Sequence, residues 1–135
     1  MRNIDIARSY VKDAKLILDE AEDSLNKGHY HRTIRKCQEG VELALKGLLR
    51  LKGIEYPKSH KIGKVFVETL KGDIDIDILQ RAADISDQLA INREPSFYGS
   101  EDLPAEELYD KDDAEESIRN ARFVINMVKE FVVEV

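Results

Sequence analysis

The 135-residue sequence is poor in residues that interrupt helices or cross-link chains: it has one cysteine, three prolines, seven glycines and no tryptophan. The single thiol, Cys37, cannot form an internal disulfide, which favours a reducing compartment. The first residues lack the apolar run of a signal peptide, and no stretch approaches the roughly 18 apolar residues that a membrane span requires. We therefore expect a cytoplasmic protein without a membrane segment.

Charge is abundant and is distributed unevenly along the chain. Charged residues make up 36% of the sequence with a net charge of −6, which argues against generic binding to a nucleic-acid backbone. Residues 27–64 nevertheless hold ten lysines and arginines and three acids, whereas residues 101–116 hold nine acids and one lysine. These segments are either solvated helix faces with an exposed loop, or an electrostatic surface for a partner.

Apolar residues recur at three- and four-residue steps, which predicts five helices. The predicted helices cover about residues 4–27, 30–52, 61–71, 74–92 and 111 onward. Ser59 and Asp110 are placed to cap the third and fifth of them. Because we find no repeat or linker, residues 1–135 should form a single domain. The expected fold class is all-α, an up-and-down bundle of four or five helices.

The second predicted helix carries a wide apolar arc that should be covered from two sides. Its apolar positions are Tyr30, Ile34, Cys37, Gly40, Val41, Leu43, Ala44, Leu45, Gly47, Leu48 and Leu51. Each interior glycine costs helix stability, up to about 1 kcal/mol. Gly40 and Gly47 lie on the same side, so we expect another helix to approach the backbone there. This is either the central helix of the bundle or the helix at a dimer seam.

The sequence has no Gly-rich phosphate loop, paired-cysteine zinc pattern or nucleophile elbow, and it predicts neither a cofactor nor a metal. His29 and His31 lie two residues apart at a helix start and point to different sides, so a metal site there is not expected. His60 precedes a helix, where a capping or packing role is favoured over catalysis. Cys37 lies on the apolar stripe, which predicts a buried structural thiol.

Residues 93–110 form a long irregular stretch whose aromatic residues indicate order. Arg93 opens this stretch at the C-terminal end of a helix, where partial negative charge favours a cation whatever its role. The functional alternative is an arginine held in a cleft to bind phosphate, for which the planar guanidinium is suited.

Three segments resemble the HEPN family. The segment from Cys37 to Leu49 (CQEGVELALKGLL) resembles the second helix of HEPN domains, and residues 53–60 (GIEYPKSH) resemble the connection into the third helix. The run Arg93-Glu-Pro-Ser-Phe-Tyr-Gly, with Leu-Tyr-Asp before the last helix, resembles a small archaeal-type branch. Together the segments cover nearly the whole chain, and their order and spacing carry the resemblance.

The resemblance implies a HEPN-type bundle that forms a homodimer, with the arginines of two chains facing one cleft. It also implies a partner, because such proteins are often encoded beside a minimal nucleotidyltransferase as toxin–antitoxin-like pairs. Many HEPN domains are metal-independent RNases whose motif is an arginine, four to six residues and a histidine. Arg93 matches this arginine, but Tyr98 stands where the histidine is expected, and the last histidine of the sequence is His60.

Tyrosine is protonated at neutral pH, so Tyr98 is suited to donate a hydrogen bond to phosphate and is a poor general base. Glu94 could instead engage Arg93 and neutralise it. Three functions stay open. The favoured one is a dimeric module that binds nucleotide or RNA phosphate through Arg93, Glu94 and Tyr98. The others are an RNA endonuclease with Arg93 and Tyr98 as catalytic residues, and a helical scaffold without a ligand.

Overall fold

A computed structural model describes residues 2–58 and 62–134, and the all-α class is confirmed. The described residues form seven helices: α1 (Asn3–Asn26), α2 (Tyr30–Leu51), α3 (Gly63–Leu70), α4 (Ile76–Ile91), α5 (Pro95–Tyr98), α6 (Ala105–Leu108) and α7 (Lys111–Glu134). Five of them correspond to the predicted helices, and α5 and α6 are single turns within the stretch expected to be irregular. No described helix has the length and apolar character needed to cross a bilayer.

Helix α2 lies at the centre of the bundle. Helices α1 and α7 pack against it along most of its length, α4 to α6 contact it more locally, and α3 packs on α4. The positions of α2 that become buried are Thr33, Ile34, Cys37, Gly40, Val41, Ala44, Leu45, Gly47, Leu48 and Leu49. Because this apolar arc is covered within one chain, α2 is the central helix and its arc does not form an open dimer seam.

The two interior glycines of α2 lie where α1 crosses it, which confirms the expected close approach. A Cβ atom on Gly47 would lie 3.1 Å from the Cβ of Tyr10 and 3.2 Å from the backbone oxygen of Ala7. A Cβ atom on Gly40 would lie 3.4 Å from side-chain methyl groups of Ile17 and Ile125. The contact is therefore tighter at Gly47, since the nearest backbone oxygen at Gly40, that of Ala14, lies at 3.5 Å.

Aspartates set the starts of two helices. The Asp113 N–H donates to Asp110 Oδ1 at 2.9 Å and the Asp110 N–H donates to Asp113 Oδ2 at 3.0 Å, a reciprocal cap that confirms Asp110 as the N-cap of α7. Asp75 Oδ1 accepts from the Asp77 N–H at 2.9 Å, so α4 begins at Ile76, two residues later than predicted. Such caps each contribute about 1 kcal/mol.

The apolar spacing of the sequence places Val65 and Ile78 among the inward-facing residues of the third and fourth predicted helices, but both are exposed in the structure. Ile78 is 40% exposed because it borders an open groove that is also lined by Phe123 and Met127 of α7. Val65 is exposed because α3 packs mainly on α4, which covers the opposite side around Phe66. The predicted cap Ser59 and the adjacent His60 lie outside the described residues.

We predict that Gly47→Ala lowers the free energy of unfolding by about 1–3 kcal/mol, because the added Cβ presses on the backbone of α1. Gly40→Ala is the matched control. Its Cβ meets the nearest side chains at van der Waals distance, and alanine gains up to about 1 kcal/mol of helix propensity, so stability should be unchanged or raised. Urea denaturation measures both variants, and equal losses at the two positions would contradict this account of the helix crossing.

Candidate functional site

A cleft of about 310 Å³ lies between α2, the connection after it and the end of α4. Its described lining residues are Gln38, Val41, Glu42, Lys46, Tyr56, Pro57, Lys58, Ser86, Leu89, Ala90 and Arg93. The charged side chains among them are three cations, Lys46, Lys58 and Arg93, and one carboxylate, Glu42. This cleft, named here the Arg93 cleft, is therefore locally positive in a protein of net charge −6.

Arg93 lies in the turn that follows α4, and its N–H donates to the carbonyl of Ala90 at 3.2 Å. Its side chain is 43% exposed, and its Nη1 lies 3.9 Å from Oε1 of Glu42. An ion pair this long and exposed stabilises the fold by less than about 1 kcal/mol. The guanidinium therefore lies at the cleft wall, partly exposed and within reach of the Glu42 carboxylate.

Glu42 is the carboxylate at the middle of the cleft, and its side chain is 21% exposed. The Gln38 Nε2 donates to Glu42 Oε2 at 2.7 Å, while Oε1 lies 3.7 Å from Lys46 Nζ on the side that faces Arg93. Gln38, Glu42 and Lys46 are four residues apart, so they share one face of α2. Sequence reasoning did not single out Glu42, although this spacing was the signal that could have found it.

Tyr56 forms one wall of the cleft with a largely buried phenol. Burial raises the pKa of this phenol, Glu42 raises it further, and Arg93 opposes the effect. The Lys46 ammonium lies 5.0 Å from the centroid of the ring, within cation–π distance. Tyr56 therefore stays protonated and can donate a hydrogen bond beside the cations. The sequence resemblance covered Tyr56 without giving it a role.

Helix α5 forms a second surface beside the cleft. Ser96 is fully buried, its Oγ donates to the Arg93 carbonyl at 3.3 Å, and its own carbonyl accepts from Arg35 Nη2 at 3.2 Å. The Arg35 Cζ lies 3.8 Å from the ring centroid of Phe97, and that ring lies 5.8 Å from the ring of Tyr98. Arg35, Phe97 and Tyr98 are named here the aromatic platform.

The predicted site residues fall on these two neighbouring surfaces. Arg93 lines the cleft, whereas Glu94 and Tyr98 are not among the described residues that line it. Tyr98 is 82% exposed on the platform, and Glu94 is an exposed residue whose carbonyl accepts the Tyr98 N–H at 2.9 Å. The carboxylate found next to the Arg93 guanidinium is that of Glu42.

The other singled-out residues lie in ordinary packing environments. The prediction of a buried thiol is confirmed, because Cys37 is fully buried and burial raises its pKa to about 12. Partial burial, together with Arg35 and Arg32, lowers the pKa of His31. Within residues 2–58 and 62–134, no group of three or more histidine, cysteine or acidic side chains is placed to hold a metal ion.

Residues 7–131 match the family model described as HEPN domain. The chain is 28% identical over 140 residues to a Methanocaldococcus jannaschii protein named "Putative toxin MJ1304", an alignment that covers 98% of this chain and 91% of that protein.

Two solved structures share the fold over nearly their whole length. ST0689, described as an archaeal HEPN homologue, is 31% identical with a TM-score of 0.70, and 98% of each chain is covered. TT1696 from Thermus thermophilus is 27% identical with a TM-score of 0.67, covering 93% of this chain and 97% of that one. The fold and cleft define a small all-helical module, and the chain belongs to the HEPN family.

We predict that Cys37 does not react with a thiol-directed reagent in the native protein. With a pKa of about 12, roughly one thiol in ten thousand is ionised at pH 8, and burial also blocks access. The same reagent should label one thiol per chain once urea unfolds the protein. Native labelling at the rate of a free cysteine would contradict the structural role of this residue.

Proposed function

We propose that this chain is a dimeric HEPN binding module whose Arg93 cleft binds the phosphate of a nucleotide or of RNA. The observation that carries the proposal is the charge of the cleft, whose described lining residues include the cations Lys46, Lys58 and Arg93 and one carboxylate, that of Glu42. A guanidinium presents paired donors that match phosphate oxygens, and the protonated phenol of Tyr56 adds a further donor. The net charge of −6 disfavours phosphate elsewhere on the surface.

Glu42 acts in this proposal as the internal competitor of the ligand. It lies 3.7 Å from Lys46 Nζ and 3.9 Å from Arg93 Nη1, so it offsets the mutual repulsion of these cations when no phosphate is present. Both distances are long for ion pairs, and such loose pairs contribute little free energy. A phosphate can therefore compete with Glu42 for these two cations, while Gln38 keeps its hydrogen bond to the carboxylate.

We predict that Arg93→Ala weakens the binding of pyrophosphate and of ATP by about tenfold or more, because a hydrogen bond between charged groups contributes roughly 1.5–3 kcal/mol. Isothermal titration calorimetry measures the affinities. Arg119→Ala is the matched control, since it removes the same charge from an exposed position on α7 outside the cleft. The proposal fails if the wild-type chain gives no heat with either ligand, or if both variants lose affinity equally.

We predict that Glu42→Gln tightens pyrophosphate binding about threefold to tenfold, because the amide removes the competing charge and keeps nearly the same shape. Glu39→Gln is the matched control on the same helix, since Glu39 is exposed and pairs with Lys36 at 3.7 Å, away from the cleft lining. Calorimetry under the same buffer conditions compares the two. Weaker binding by Glu42→Gln would show that the carboxylate orients Arg93 and does not compete with the ligand.

The homodimer is part of the proposal and rests on the family. Because the apolar arc of α2 is covered within the chain, the second copy must use another surface. Light scattering at working concentration should give about twice the chain mass of 15.4 kDa. A mass near that of one chain would remove the dimer from the proposal.

A minimal nucleotidyltransferase is the proposed protein partner, on the strength of the family resemblance. A gene for such an enzyme beside this one would supply the pair to test. Co-expression of the two with a tag on one chain should yield a complex of defined stoichiometry in size-exclusion chromatography. Separate elution of the two proteins would count against the partnership.

An RNA endonuclease is the second candidate, favoured by the toxin-like name of the Methanocaldococcus jannaschii relative. In this mechanism Arg93 stabilises the negative charge that develops on the phosphoryl oxygens, and Tyr98 positions the phosphate. The exposure of Tyr98 away from the described cleft lining weighs against the pair acting together. The decisive test is growth arrest on expression that Arg93→Ala abolishes, together with RNA cleavage in the presence of a chelator.

A further inference from the structure

Phosphate binding in the Arg93 cleft leaves the aromatic platform without a role. We propose that the platform is a base-stacking subsite, which takes an unpaired base of a single-stranded nucleic acid whose backbone lies in the cleft. This inference rests on the proposed phosphate-binding function, and it specifies the ligand as an oligonucleotide. The observations that carry it are the exposure, the rigidity, the charge and the position of the platform.

The two rings are exposed to an extent unusual for aromatic side chains. Phe97 is 49% exposed and Tyr98 is 82% exposed, although both belong to a helix whose neighbouring Ser96 is fully buried. The two rings are therefore accessible to a ligand from solvent. Aromatic faces bind nucleic-acid bases without sequence preference, since every base offers a π-face.

The backbone beneath the rings is held firmly. The Tyr98 and Gly99 N–H groups donate to the carbonyls of Glu94 and Pro95, both at 2.9 Å, which closes the single turn of α5. Gly99 follows with a φ of +75°, and a side chain there would collide with the backbone of Leu103. The rings are therefore presented by a fixed turn, which lowers the entropy that stacking must overcome.

Arg35 gives the platform a positive charge on its inner side. Its guanidinium covers one face of Phe97 at 3.8 Å from Cζ to the ring centroid, and Nη2 is anchored on the Ser96 carbonyl at 3.2 Å. Arg32 lies one helical turn away on the same side of α2. Two adjacent exposed rings, one of them with an arginine against its face, suit an anionic strand better than an uncharged apolar partner.

The platform and the cleft lie along one face of α2. Arg35 and Glu42 are seven residues apart, so they point in nearly the same direction with a rise of about 10 Å between them. At the 3.4 Å rise per nucleotide of a stacked strand, this spacing is about three nucleotides, and fewer if the strand is extended. One short strand can therefore place a phosphate in the cleft and a base on the rings, whereas a mononucleotide fills one of them.

The acidic segment beside the platform restricts which nucleic acid can bind. Nine acids between residues 101 and 116 follow α5 directly, and the carboxylate of Glu106 lies close enough to His31 to act on its pKa. These charges repel a long strand that continues past the platform. A duplex keeps both faces of its bases stacked inside, so a short single-stranded stretch is the form that fits.

The test compares Tyr98→Ala with Tyr98→Phe, which keeps the stacking ring and removes the hydroxyl. Fluorescence anisotropy is measured with labelled six-nucleotide oligoadenylates, one of RNA and one of DNA, and calorimetry is measured with pyrophosphate. Tyr98→Ala should bind the hexanucleotides about tenfold more weakly with pyrophosphate affinity unchanged, while Tyr98→Phe should match the wild type. Leu16→Ala, an exposed apolar residue on α1, controls for loss of surface area.

The outcomes separate this inference from the phosphate-binding proposal. Arg93→Ala should weaken both probes. If pyrophosphate binds but the hexanucleotides do not, or if Tyr98→Ala binds them as tightly as the wild type, the base-stacking proposal is wrong. The proposal that the cleft binds phosphate is then unaffected. If neither probe binds the wild-type chain, both proposals are wrong.

A change of oligomeric state would also contradict the base-stacking proposal. If Tyr98→Ala halves the mass measured by light scattering, the platform is an interface between two copies of the chain and not a base-stacking subsite. A preference for the RNA probe would support the subsite and add recognition of the 2′-hydroxyl.

Discussion

The crossing of α1 over α2 at Gly40 and Gly47 constrains the rest of the structure. Because the absence of side chains at both glycines lets α1 approach the backbone of α2 closely, the rotation of α2 about its own axis is set by that contact. The same rotation buries Leu45 and Leu48 and turns the opposite stripe outward. Glu42 belongs to that outer stripe, so the packing of the core determines where the charged wall of the cleft stands.

The apolar spacing of the sequence predicted the five long helices, since helix periodicity is a local property that depends on few distant contacts. The position of Arg93 was also accessible, because it ends a helix and matches a family motif. The side chains that contact the site residues could not be predicted from the sequence. Arg35 reaches Ser96 across 61 positions in the sequence, and Glu42 meets Arg93 only because the end of α4 returns to α2. The prediction that Ile78 faces the core was wrong for the same reason, since its exposure depends on where α7 lies.

Both charged segments contain residues that support the fold itself. Asp110 and Asp113 use their carboxylates to cap α7, which accounts for part of the acidic segment without any partner. In the basic segment, Lys52 pairs with Asp73 at 2.7 Å and so supports the fold. Lys46 and Lys58 line the Arg93 cleft instead. A count of charges along the chain cannot make this division, because it depends on which side chains the fold brings together.

The residues of the cleft favour binding over proton transfer. Lys46, Lys58, Arg93 and protonated Tyr56 are all hydrogen-bond donors, which is what a phosphate requires. Among the described lining residues the carboxylate of Glu42 is the sole charged acceptor, and it already accepts from Gln38 at 2.7 Å while offsetting the nearby cations. Cleavage of a phosphodiester needs a base to take a proton from the attacking hydroxyl, and Tyr98, which the sequence resemblance places where the family's histidine is expected, cannot do this readily. The chemistry of the described lining residues therefore favours binding of a phosphate over cleavage of a phosphodiester.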